Sequence, residues 1–189
     1  GGWQDTTGFN AALYPSSSSP FAKEAKYNVD GSIKEWLASG VDPEKIVLGA
    51  PVYGRAWGGV ESTNNGLYQP AGDSPMGTWE QGVFDYGDLV DNYIGKGDWT
   101  RHWSTESEVP WLYSPSQKIM ISYDDEESIT KKMDYIIAED LGVDGVGLEQ
   151  IAVGLEADPQ RGLGHPVGWK DRGLRHVAVR GEELREGPH

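Results

Sequence analysis

Residues Lys45 to Trp57 limit the fold more than any other stretch of the chain. Ile46-Val47-Leu48 is a short apolar run, Gly49 and Pro51 thin the backbone behind it, and Tyr53, Arg55 and Trp57 then alternate. A run of that length predicts a parallel strand covered on both faces. In extended backbone alternate side chains share a face, so Tyr53, Arg55 and Trp57 are expected to point one way. A phenol, a guanidinium and an indole on one face make a poor core. They suit a cleft in which aromatic faces stack on a sugar ring and polar tips bind its hydroxyls.

The strand sits in an α/β rhythm. Val29, Ile33, Trp36 and Leu37 keep helical spacing over 28–39, with Gly40 at the C′ position, and all four read as core. Asp42-Pro43-Glu44 turns the chain into the strand. Upstream, 1–27 reads as an ordered loop, because Trp3, Phe9, Leu13, Tyr14 and Phe21 are too apolar for a linker. Residues 58–124 break the rhythm with β-like runs at 82–86, 111–113 and 119–123, turns at Asn64-Asn65-Gly66 and 70–72, and a short helical stretch near 85–93. They read as a small α+β insertion. Asp124 or Asp125 then caps a helix reaching about Leu141, with Ile129, Met133, Ile136 and Ile137 as its buried stripe, and 143–148 reads as the next strand.

The fold class is therefore α/β, the C-terminal part of a TIM barrel carrying a small α+β insertion domain. Residues 1–57 and 125–150 belong to the barrel, 58–124 to the insertion, and 151–189 form an atypical tail. A full barrel takes about 250 residues, more than the 189 here.

Composition excludes several function classes. A net charge of −14 argues against nucleic acid. No apolar run reaches the roughly 18 residues of a membrane span. Without cysteine there is no disulfide and no thiolate metal site. His102 stands alone with no metal partner at ligand spacing. Residues 161–189 hold five of the seven Arg and three of the four His, so the tail differs in kind from what precedes it. It is expected to be disordered or to come from a shifted reading frame.

Five segments, in order, carry a resemblance. They are Gly2-Trp3 with Thr7–Tyr14, then Lys45–Trp57, Gly77–Tyr86, Trp111–Tyr113 with Ile121–Asp125, and the helix at 125–141 with the Gly-rich run after it. Together they resemble the C-terminal portion of the chitinases of glycoside hydrolase family 18. The resemblance implies retaining, substrate-assisted hydrolysis of β-1,4-linked N-acetylglucosamine polymers, with no metal and no organic cofactor. It also implies chitin or a chito-oligosaccharide as partner, a secreted protein and, at full length, a monomer.

In that family the protonating acid is the Glu of an Asp-x-x-Asp-x-Asp-x-Glu motif, and a Met-x-Tyr-Asp motif orients the acetamido group. Neither occurs in these 189 residues. The Asp124–Glu127 run reads as a helix cap. No catalytic residue is therefore expected in this chain, and alone it is expected to be inactive and poorly folded. The resemblance makes Tyr53 and Arg55 sugar contacts, with Trp57, Trp3, Trp79, Glu80 and Glu149 as further substrate-binding candidates. Leu148 stands where the family places a Trp that floors a subsite. Asn10 is expected to pin its loop, and Trp99, Trp103 and Trp111 to fill a core. A non-catalytic chitin-binding lectin and a peptidoglycan-active enzyme are the alternatives on this scaffold.

Overall fold

A computed structural model describes residues 4–21 and 26–142. Among the described residues three α-helices and five strands, besides two short 3-10 turns, follow one another as α1 (Val29–Ala38), β1 (Tyr53–Trp57), β2 (Val83–Asp85), α2 (Tyr86–Asn92), β3 (Thr100–Ser104), β4 (Val109–Ser114), β5 (Ile119–Ser122) and α3 (Glu126–Ala138). The strands form one antiparallel sheet in the order β2-β1-β5-β4-β3. Among the described residues no helix is long and apolar enough to cross a membrane.

The sheet buries both faces, as the side-chain alternation of its strands requires. On one face Ala56, Phe84, Leu112 and Ile121 pack with Leu89 of α2 and with Trp99. On the other, Trp57, Trp111, Tyr113 and Met120 pack with Val60 and Leu67, and Phe9 of the N-terminal loop closes over them. β4 lies between the two clusters and is buried at every residue. A third cluster joins Leu13, Ile33, Tyr135, Ile136 and Leu141, so α1, α3 and the loop pack together.

The strand expected over 45–50 is absent. Ile46 is extended, but among the described residues no strand pairs with 46–50, and Val47 is exposed. Extended backbone becomes a ladder only when a neighbour supplies its hydrogen bonds. Here Ile46 C=O accepts from Gly142 N–H at 3.2 Å. The ordered strand begins at Tyr53 instead, and it pairs with β2 and β5 of the stretch read as the insertion.

Both long helices start where expected. The Asn28 side chain caps α1, accepting from Gly31 N–H at 2.8 Å. Asp125 caps α3 in a reciprocal box with Ser128. Their buried faces are rotated from the expected stripes. Trp36 was read as core and is 60% exposed, and Ile137 is exposed too. In α1 the face is centred on Asp30, Ile33 and Leu37, and Asp30 is buried because Tyr135 Oη donates to it at 3.1 Å. In α3 the buried residues Ser128, Ile129, Lys132, Tyr135 and Ile136 lie around Lys132, which turns Ile137 to solvent.

The N-terminal loop is ordered from Gln4 to Phe21, as its apolar residues suggested. Leu13 is fully buried. Backbone bonds run from Thr7 N–H to Gln69 C=O (2.9 Å) and from Ala71 N–H to Asp5 C=O (2.8 Å). Residues 143–148, with Leu148 and Glu149, the tail, and Trp3 lie outside the described residues.

Candidate functional site

β1 presents two of the expected sugar contacts together. Tyr53 and Arg55 lie on one face of the strand, and the Arg55 guanidinium sits 5.2 Å from the centre of the Tyr53 ring. A cation over an aromatic face is held by the ring's quadrupole, which orients both groups without a carboxylate partner. Tyr53 is 37% exposed and Arg55 is half-buried.

Three elements set this pair in place. Tyr53 lies opposite Asp85, whose carboxylate caps α2 by accepting from Gly87 N–H at 2.7 Å. Arg55 lies between Val83 on β2 and Ser122 on β5. The Ser122 hydroxyl accepts from Asn10 N–H at 2.9 Å, bringing the N-terminal loop to the same edge. Asn10 thus pins the loop through its backbone. The arrangement offers an aromatic face, five guanidinium donors in a fixed fork and a nearby hydroxyl, a donor set suited to a neutral polyol.

Trp57 departs from the expectation of a shared exposed face. It follows Arg55 on the same side of β1 but is only 1% exposed, packed with Val60, Leu67, Trp111, Tyr113 and Met120. Cross-strand pairing with Met120 draws the ring into the sheet's second core, where burying an indole is worth more than exposing it. Its Nε1 has no hydrogen-bond partner among the described residues.

Trp79 and Glu80 stand on a tight turn beside β2, and both are exposed, Trp79 by 58%. Gly77 N–H donates to Glu80 C=O (3.0 Å) and Thr78 N–H to Val83 C=O (2.9 Å). The Thr78 hydroxyl donates to Asp88 at 2.6 Å. A Cβ on Gly77 would lie 1.9 Å from Val83 oxygen, so this turn needs glycine. Glu80 bridges to Val83, the residue that pairs with Arg55, which sets the turn one strand away from the Tyr53–Arg55 pair.

The sequence reading missed a buried polar cluster at the end of β5. Asp124 accepts from Lys132 Nζ at 2.5 Å and from the Ser128 hydroxyl at 2.7 Å. Burial pushes the Asp124 carboxyl up, and Lys132 and Ser128 oppose that shift. Beside it, Arg101 donates to Asp125 (2.8 Å) and Glu127 (2.7 Å). Burial also pushes the Tyr123 phenol up, reinforced by the Asp125 charge and opposed by Arg101. Ser128 and Lys132, four residues apart on one face of α3, with Asp124 just ahead of the cap Asp125, could have revealed the cluster. Elsewhere Trp99 and Trp111 are core, as expected, and Trp103 is half-buried under Arg101. His102 stacks on Trp111 at 5.1 Å, and burial lowers its pKa. Among the described residues no three His, Asp or Glu side chains are grouped to hold a metal ion.

Comparison with known proteins places this geometry. The model for "Glycosyl hydrolases family 18" matches residues 1–148. Chitinase A1 of Niallia circulans is 44% identical over 146 residues, which are 75% of this chain and 21% of that protein. Among solved structures, chitinase ChiA74 from Bacillus thuringiensis aligns with a TM-score of 0.71 at 41% identity, over 75% of this chain and 24% of that one. The Ostrinia furnacalis Group IV chitinase in complex with allosamidin aligns with a TM-score of 0.68 at 29% identity, over 75% and 38%. The chain thus spans about a fifth of the length of the first of these relatives. By the extent of the family match and the identity to its members, the chain belongs to family 18 of the glycosyl hydrolases.

Proposed function

We propose that this chain builds part of the substrate cleft of a secreted chitinase-type glycoside hydrolase acting on β-1,4-linked N-acetylglucosamine polymers. In this reading Tyr53 and Arg55 contact the sugar, and Trp79 and Glu80 form a further wall. Trp3 and Glu149 remain candidates at positions outside the described residues. The fold is that of the last part of a TIM barrel, with the antiparallel sheet as its insertion domain. The full-length protein acts as a monomer, without nucleic acid or membrane as partner and without a cofactor.

The observation that carries the reading is the Tyr53–Arg55 pair, partly exposed at one end of β1 and free of any carboxylate bridge among the described ion pairs. Hydrolysis would run by substrate assistance. An acid protonates the glycosidic oxygen while the substrate's acetamido carbonyl attacks the anomeric carbon, so the enzyme supplies no nucleophile. The family's acid motif is not among these 189 residues, so the chain alone binds without cleaving. The rival on this scaffold is a non-catalytic chitin-binding lectin, told apart from the enzyme by the residue at the family's acid position, which lies outside these 189 residues.

Calorimetric titration of the chain with the N-acetylglucosamine tetramer tests the proposal. Binding that weakens in Tyr53→Ala and Arg55→Ala supports it. A folded chain that binds nothing, or variants that bind equally well, would sink it. Cleavage of the tetramer by the pure chain would overturn the assignment of the acid to other residues.

A further inference from the structure

Asn65 is the one asparagine in the chain that precedes a glycine. The pair lies in the short 3-10 turn Thr63–Gly66, where Asn64 and Asn65 both take left-handed backbone and Asn65 is exposed. Gly66 carries no side chain to shield its backbone nitrogen, and none fits there, since a Cβ would lie 2.5 Å from the Tyr113 ring. Two carbonyls of the turn are committed. Asn65 C=O accepts from Trp111 Nε1 at 3.0 Å, and Gly66 C=O accepts from the buried Thr7 hydroxyl at 2.6 Å. Thr7 in turn accepts from Gln69 N–H at 2.9 Å.

We propose that Asn65-Gly66 is a site of spontaneous covalent modification, gated by the clasp between Thr7 and Gly66. The Gly66 nitrogen loses its proton and attacks Asn65 Cγ. The new N–Cγ bond forms as Cγ–Nδ2 breaks, and Nδ2 leaves as ammonia, giving a succinimide. Water then opens the ring at either carbonyl, yielding aspartate or isoaspartate, with no oxidant or reductant needed. Asparagine is among the thermolabile residues for this reason.

Ring closure requires rotation about the Asn65 Cα–C bond, away from its folded ψ of 40°. The turn must therefore open locally first, and the Thr7 and Trp111 bonds set how often it does. The isoaspartate product routes the backbone through the side chain, lengthens it by one methylene before Gly66 and turns the Asn65 carbonyl that accepts from Trp111 into a pendant carboxylate. Tyr113 leaves no slack at Gly66 to absorb the added length. Modification consequently breaks the bond from the Thr7 hydroxyl to Gly66 and leaves the 4–10 segment held by its backbone bonds to Gln69 and Ala71 and by Asn10 on Ser122.

The test is peptide mapping by mass spectrometry after prolonged incubation of the 189-residue chain, with enzymatic methylation to count isoaspartate. The Asn65 peptide should gain about one dalton. It should convert faster in mildly alkaline than in mildly acidic buffer, and faster still in urea. Thr7→Val, which lacks the hydroxyl, should age faster than the native chain, and Thr7→Ser, which keeps it, at the native rate. An Asn65 peptide that stays intact in the folded chain while converting in urea overturns the site. A Thr7→Val chain ageing no faster than native, or a Thr7→Ser chain ageing as fast as Thr7→Val, overturns the gate.

Discussion

Lys132 Nζ lies 2.5 Å from Asp124 Oδ1, and neither side chain is more than 2% exposed. The pair ties the last strand of the sheet to the middle of α3, with the Ser128 hydroxyl as a third member. Removing one partner strands a buried charge, whereas replacing both with apolar groups removes the desolvation cost as well. Lys132→Met should therefore destabilise the chain by about 3–5 kcal/mol. Adding Asp124→Leu should recover most of that loss, as read from urea unfolding midpoints. A double variant no more stable than Lys132→Met would show that the pair is worth more than its apolar replacement.

Tyr53 and Arg55 should act as a unit in sugar binding. Arg55→Lys keeps the charge but loses the planar fork that stacks on Tyr53 and donates in two directions. It should weaken tetramer binding about as much as Arg55→Ala, by roughly tenfold, the equivalent of one cation–π contact and a hydrogen bond. Fluorescence or calorimetric titration of the three proteins decides this. Arg55→Lys binding like the native chain would reduce Arg55 to a point charge.

Thr7→Val should cost about 1–3 kcal/mol, because it leaves Gly66 C=O and Gln69 N–H unsatisfied beneath the loop. Thr7→Ser should restore most of the stability. Thermal melts of the two variants separate the hydroxyl's role from that of the methyl group.

His102 should make stability fall in mild acid. Burial against Trp111 lowers its pKa below the ordinary 6.5, so the unfolded chain takes up the proton first. The contribution is fully present above pH 6.5 and is lost as pH drops through the lowered value. In His102→Gln this part of the pH dependence should vanish, seen as the difference between the two proteins' melting points across that window. An unchanged difference would mean that the ring does not titrate there.

Local signals were the legible ones. Helical spacing over 28–39 and a cap at Asp124 or Asp125 announced the two long helices, and the β-like runs at 111–113 and 119–123 announced β4 and β5. Tyr53 and Arg55 emerged on one face, as their alternation required. The rotated helix faces share one cause. Asp30 and Lys132 are charged residues at the centre of buried surfaces; Tyr135 and Asp124, from outside their helices, satisfy them, with Lys34 one turn on from Asp30 as a second partner. A pattern of apolar residues counts such charges as surface and turns the helix the wrong way. Trp36 and Ile137 were misplaced for that reason, and Trp57 because alternation fixes a face but not what covers it.

The bond from Asn10 to Ser122 closes a loop of 112 residues, and the one from Thr7 to Gly66 closes 59. Contacts so remote in sequence form late, after the chain between them has condensed. The N-terminal loop leaves the ribosome before the sheet it covers, yet it cannot dock until β5 is in place. In pulsed hydrogen exchange during refolding, the Asn10 amide should gain protection after the amides of β4 and β5. Until then the Trp57 face stands uncovered, and that interval is when the chain is most exposed to self-association.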